Sequence, residues 1–143
     1  MTITIKNLQA VVDGIAKEGT SYEVAAGFAL GRVALEIERQ AKKNANTGTH
    51  KRGEPRVSGG GAGPNVVSGD LRRSITTELR LGFGSYVATV GPTMEYARQV
   101  ELGGGKWKSG VKYPYLVPAF KSLQQSGALN RIFQAAVRSK LGG

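Results

Sequence analysis

Apolar residues recur along this chain with two periods, and the change from one to the other divides it into elements. Val24, Phe28, Ala29, Val33, Ile37 and Ala41 stand three and four apart, the spacing of one helical face. Thr20 and Glu23 form a capping-box pair ahead of them, so a helix is expected from about Ser21 to Lys43. Its small residues Ala25, Ala26, Gly27 and Gly31 permit close approach of a neighbouring backbone, either within the fold or from another subunit. Ile75, Thr77, Leu79 and Leu81 instead alternate with Thr76, Glu78 and Arg80, the period of a half-buried strand. Gly82 to Ser85 is expected to turn the chain, and Tyr86 to Val90 returns as the second strand, closed by Gly91 and Pro92. Leu129, Ile132, Phe133, Ala136, Val137 and Leu141 then define one stripe of a C-terminal helix.

The remaining segments are less regular. Thr2 to Ile5 alternates too briefly to decide between a strand and a frayed end. Asn7 is a cap for a helix carrying Leu8, Val11, Val12 and Ile15, with Gly19 as its stop. Asp70 is expected to cap a short turn through Leu71 and Arg72. Met94 to Leu102 reads as a short helix, Val111 to Val117 as a strand broken by Pro114, and Pro118 as the first turn of a helix with Ala119, Phe120 and Leu123. Helices at both ends of a hairpin imply an α+β fold, with the long N-terminal and C-terminal helices packed on a small antiparallel sheet. With 143 residues, one domain over 1–143 is expected.

Within it, residues 46–69 hold seven glycines with Pro55 and Pro64, which predicts a long irregular loop. Charge singles out the same region. Residues 42–73 carry seven bases against Glu54 and Asp70, and residues 102–143 carry seven bases and no acid, whereas the other two segments are each close to neutral. The net charge of +10 is therefore concentrated in two stretches, which points to a polyanion or an acidic partner, or to a solvated basic surface.

Enzyme chemistry finds little support. Cysteine is absent, so disulfides, thiolate metal sites and cysteine nucleophiles are excluded, and the single histidine, His50, cannot build a two-histidine site within one subunit. Gly59 to Gly63 is followed by Pro64 where a dinucleotide fingerprint needs glycine, and Gly105-Lys106-Trp107 fails the phosphate-loop spacing. Glu95 and Glu101 fall on nearly opposite faces of their helix, which reads as two solvated surface carboxylates and not an acid/base pair. Tyr96, Trp107, Tyr113 and Tyr115 interleave with Lys106, Lys108 and Lys112, a pattern that suits stacking on single strands, an interface or a core equally well. No catalytic, metal or cofactor residue is expected, and no apolar run reaches the roughly 20 residues of a membrane helix.

Four short segments in order carry a resemblance. They are Val67-Ser68-Gly69-Asp70-Leu71-Arg72-Arg73-Ser74-Ile75; Val90-Gly91-Pro92; Tyr96-Ala97-Arg98-Gln99-Val100-Glu101-Leu102-Gly103; and Pro114-Tyr115-Leu116-Val117-Pro118-Ala119. Together they resemble the tail-completion, or neck, proteins of long-tailed bacteriophages, with the basic stretch from Thr47 to Val67 in place of a shorter link. The resemblance implies a non-enzymatic virion protein, made in the host cytoplasm, whose motif residues are Gly69, Leu71, Arg72, Ser74, Ile75, Gly91, Pro92, Tyr96, Ala97, Glu101, Gly103 and Pro118. It implies a homo-oligomeric ring, a hexamer first and a dodecamer second, between the head-side connector or stopper ring and the tail-terminator or tail-tube protein. Genomic DNA would pass through the lumen, with Lys51, Arg52, Arg56, Lys106 and Lys108 as contacts to DNA or to an adjoining ring. The alternatives are a tail-terminator ring of the same assembly and a free basic nucleic-acid-binding protein.

Overall fold

The computed structural model describes residues 3–5, 20–46, 69–82, 85–103 and 112–142. In chain order the elements are β1 (Ile3–Ile5), α1 (Thr20–Asn44), α2 (Asp70–Ser74), β2 (Ile75–Gly82), β3 (Ser85–Pro92), α3 (Ala97–Leu102), α4 (Leu116–Gln125) and α5 (Ala128–Gly142). The fold is α+β, as the sequence implies. The expected helix after Asn7, the loop after Asn46 and the basic residues Lys51, Arg52, Arg56, Lys106 and Lys108 lie outside the described residues.

The sheet has the order β1-β3-β2 and is antiparallel throughout. β2 and β3 pair from Ile75 opposite Pro92 to Gly82 opposite Ser85, which puts Ile75, Thr77 and Leu79 on one face with Val90 and Ala88. β1, undecided from sequence, pairs Ile3 with Val90 and Ile5 with Ala88. α1 lies across this face. Ala88, Val90 and Ile75 are fully buried with Ala29, Ala34, Ile37 and Ala41 of the helix, and side chains such as Ile37 and Ile75 each contribute about 1.5–3 kcal/mol when removed from water. Gly27 explains how closely the layers meet, because a Cβ there would stand 2.5 Å from Cε1 of Tyr86. The glycine lets the tyrosine ring lie on the helix backbone.

α5 packs against α1, and Phe133 and Ala136 are buried there with Leu129, Ile132 and Val137 flanking them. The C-terminal helix thus belongs to the fold, packed chiefly on the long helix. α1 is aligned with its own dipole, with Glu23 in the first turn and Lys42 and Lys43 in the last. Glu36 pairs with Arg39 and Glu38 with Lys42 along its surface.

Three expectations need correction. Val24 and Phe28 do not join the core; they are 56% and 45% exposed, and the buried face instead runs through Ala25, Ala26, Ala29, Leu30, Val33 and Ala34. The helical period is satisfied by both sets, and the sheet and α5 together cover only one of them. Asp70 does not cap α2: Gly69 does, with φ of 80°, while Asp70 in the first turn pairs with Arg73. Residues 112–115 form no strand, and Leu116 already begins α4. The physical reason lies in a carboxylate from the preceding helix.

Candidate functional site

The backbone donors at the start of a helix are the best place to follow how the motif segments are assembled. An α-helix leaves four N–H groups at its N-terminus without an intrahelical partner, those of the cap and the first three residues. For α4 these belong to Tyr115, Leu116, Val117 and Pro118. Tyr115 is a poor capping residue and makes no side-chain cap bond. The Glu101 carboxylate takes that role from α3: Oε2 accepts the N–H of Tyr115 at 2.7 Å and of Leu116 at 3.0 Å, and Oε1 accepts that of Val117 at 2.9 Å. Pro118 has no N–H to satisfy. All four positions are thereby accounted for, by one acid and one proline.

Glu101 is 2% exposed, so the sequence reading of a solvated surface carboxylate is wrong for it and holds only for Glu95. A buried carboxylate is tolerated where charge-assisted donors and the positive end of a helix surround it. The same three bonds draw the 115–117 backbone out of any strand ladder. The sequence did contain a signal for this, namely a helix start with Pro118 in its first turn and no Ser, Thr, Asp or Asn before it, which requires a cap from elsewhere.

The other motif residues hold neighbouring joints. Gly103 ends α3 with φ of 73° and returns its N–H to Gln99 at 2.8 Å. Tyr113 donates its N–H to the Val100 carbonyl at 2.7 Å, and Asn44 at the end of α1 donates through Nδ2 to the Tyr115 carbonyl at 3.0 Å. Burial first, then Glu101 and Tyr96, push the Tyr115 phenol above its ordinary range. In α2, Ser74 Oγ donates to the Leu71 carbonyl at 2.7 Å, and the Thr93 N–H reaches the Ser74 carbonyl at 3.1 Å just beyond Pro92. Ile75, Gly91 and Ala97 are buried, Leu71 packs against the core, and Arg72 and Tyr96 face outward. The structure thus brings the motif segments together at one end of α1 as a set of backbone joints. Among the described residues, no group of three or more acidic or histidine side chains could hold a metal ion.

A family profile described as "Bacteriophage HK97-gp10, putative tail-component" matches residues 5–103, more than half of the chain. The chain belongs to this HK97-gp10-like family. Comparison with curated proteins and with solved structures gives no match. The family match ends at Gly103, two residues after Glu101, and the partners of that carboxylate at 115–117 lie beyond it. In this HK97-gp10-like chain, α4 is therefore tied to the matched region by the last acidic residue within it.

Proposed function

We propose that this HK97-gp10-like chain is a non-enzymatic virion protein of the phage neck, one domain that assembles as a ring joining the head-side connector to the tail tube around the DNA channel. The observation that carries the reading is the family match over residues 5–103, which makes the chain a phage tail component. The neck position comes from the resemblance of the segments between Gly69 and Ala119 to tail-completion proteins. Charge is compatible with a DNA-lined passage: α4 and α5 carry Lys121, Arg131, Arg138 and Lys140 with no acid, all four exposed. Lys51, Arg52, Arg56, Lys106 and Lys108 would add to this as contacts to phosphate or to an adjoining ring. Phosphate contacts position without reading sequence, as a passing genome requires.

The test is complementation of a phage lacking this protein. The reading expects particles without it to accumulate as separate heads and tails, and reconstruction of the complemented virion to show this chain as a ring at the junction. Joined particles in its absence, or density for the chain elsewhere, would overturn the neck assignment.

A further inference from the structure

The described surface divides by how its cations are matched. On α1, α2 and β2 bases stand beside acids: Arg39 pairs with Glu36, Lys42 with Glu38, Arg73 with Asp70 and Arg80 with Glu78. No Asp or Glu follows Glu101 in the sequence. Among the described residues, Lys121 of α4 and Arg131 and Arg138 of α5 accordingly enter no ion pair. At about 100° per residue, Arg131 and Arg138 lie about 20° apart around α5, roughly opposite buried Phe133 and Ala136 and about 10 Å apart along the axis. Lys121 stands in the same way opposite buried Leu116, Ala119 and Leu123 on α4. Asn130 and Gln134 flank the arginines, and Gln125 lies one turn beyond Lys121, all of them exposed. Arg131 is held in place at the turn between the two helices. Its Nη1 donates to the Ser126 carbonyl at 2.8 Å and lies over Gly127, where φ is 71° and a Cβ would come within 3.3 Å of it. A guanidinium has five donors, so this contact leaves most of them for a ligand.

What this face lacks chooses its partner. The exposed large apolar side chains among the described residues, Val24, Phe28, Leu35, Leu79, Tyr96 and Leu102, all lie off α4 and α5. A protein interface centres on aromatic or aliphatic anchors, and a helix lying on a membrane inserts an apolar face; that of α5 is already packed on α1. Arg and Lys with Asn and Gln, on a surface without acids, are instead the donor set of contacts to the nucleic-acid backbone. In a ring closed about an axis every subunit turns the same face inward, so a few cations per subunit recur around the channel. We infer that the outer face of α4 and α5 contacts the phosphate backbone of duplex DNA and is the face that each subunit turns toward the channel. The inference rests on the neck reading and adds which surface meets the genome.

The full chain should bind a short labelled duplex with a Kd of about 1–100 µM at about 50 mM salt, measured by fluorescence anisotropy. Arg131→Gln with Arg138→Gln should lower the slope of log Kd against log salt by about 2, and Arg138→Gln alone, which leaves the turn at Gly127 untouched, by about 1. Arg39→Gln with Arg80→Gln removes the same charge from paired sites and should leave the slope nearly unchanged. Equal losses for the two double variants, or no loss for either, would overturn the inference, since binding would then follow net charge or another surface. In virions complemented with a chain carrying a photoreactive diazirine amino acid in place of Gln134 or of Arg80, irradiation should attach DNA at position 134 and not at 80. Adducts at 134 to protein alone would give the face to an adjoining virion protein, and that result, or no adduct, would sink the DNA contact. DNA adducts at 134 in a chain located away from the head–tail junction would leave the face standing and overturn the neck reading; a chain at the junction with only protein adducts would do the reverse.

Discussion

The joint between α3 and α4 and the outer stripe of α1 are opposite cases of the same rule. At the joint, a buried acid and the orphan donors of a helix satisfy one another completely within one chain. On the stripe, Val24, Phe28 and Leu35 stay in water beside a core built from the other side of the same helix. The first region invests its chemistry in folding. The second leaves apolar area available to a partner, and a helix with apolar residues on both faces is expected to be covered on both. If this contrast is right, substitutions at the joint cost stability and leave nothing for assembly to report, while substitutions on the stripe do the reverse.

The largest effect should come from Glu101→Ala, which leaves three buried or half-buried N–H groups unsatisfied. The loss expected is about 3–5 kcal/mol, the range for breaking a buried charged network. Glu101→Gln retains one acceptor oxygen and should recover part of it. Urea unfolding followed by circular dichroism measures both, and a loss below about 1 kcal/mol for the alanine variant would mean that water replaces the carboxylate without difficulty.

Two phenylalanines on facing helices sharpen the contrast. Phe133 is buried, and Phe133→Ala should cost about 3–5 kcal/mol. Phe28 is half-exposed with Lys140 Nζ 5.4 Å from its ring centre, so Phe28→Ala loses only about half the packing of a buried ring together with the cation–π attraction, about 1–2 kcal/mol in all. Comparable melting temperatures for the two variants would break the division between core and stripe.

The sequence made most of this architecture readable where one period dominates. The alternation from Ile75 to Leu81 and the stripe from Leu129 to Leu141 appear as β2 and α5 almost residue for residue. Periodicity alone could not show which side of α1 is buried, because Phe28 and Ala29 both fit a stripe and only the positions of β3 and α5 choose between them. Nor could it show that Glu101 turns inward, since its partners are backbone groups 14–16 residues away and carry no side-chain signature. The motif residues were found by resemblance, and their physical roles as glycine caps, backbone joints and the distant helix cap came from the fold.

Two glycines on α1 offer a smaller test with opposite signs. Gly27→Ala drives a Cβ into the Tyr86 ring and should cost about 1–3 kcal/mol by overpacking. Gly31→Ala meets only Leu79 at ordinary contact distance and should gain up to about 1 kcal/mol from helix propensity. Thermal melts of the two variants should therefore move in opposite directions.

A pH-dependent effect concerns Glu38, on the edge between the two regions. Burial works against its carboxylate, but hydrogen bonds from Lys42 and from Thr77 Oγ1, the latter at 2.6 Å, outweigh it and hold its pKa below the ordinary value. A lowered pKa in the folded state means that the unfolded chain takes up the proton first as pH falls. The carboxylate's contribution is therefore complete above its unfolded pKa and disappears as pH drops through the folded one. Thr77→Val removes one of the bonds and should cost about 1 kcal/mol at pH 7. Below about pH 4, where Glu38 is increasingly protonated in both proteins, the difference should shrink. A deficit that stayed constant from pH 7 to pH 3 would assign it to the lost hydroxyl alone, and would leave the link between α1 and β2 without an ionic component.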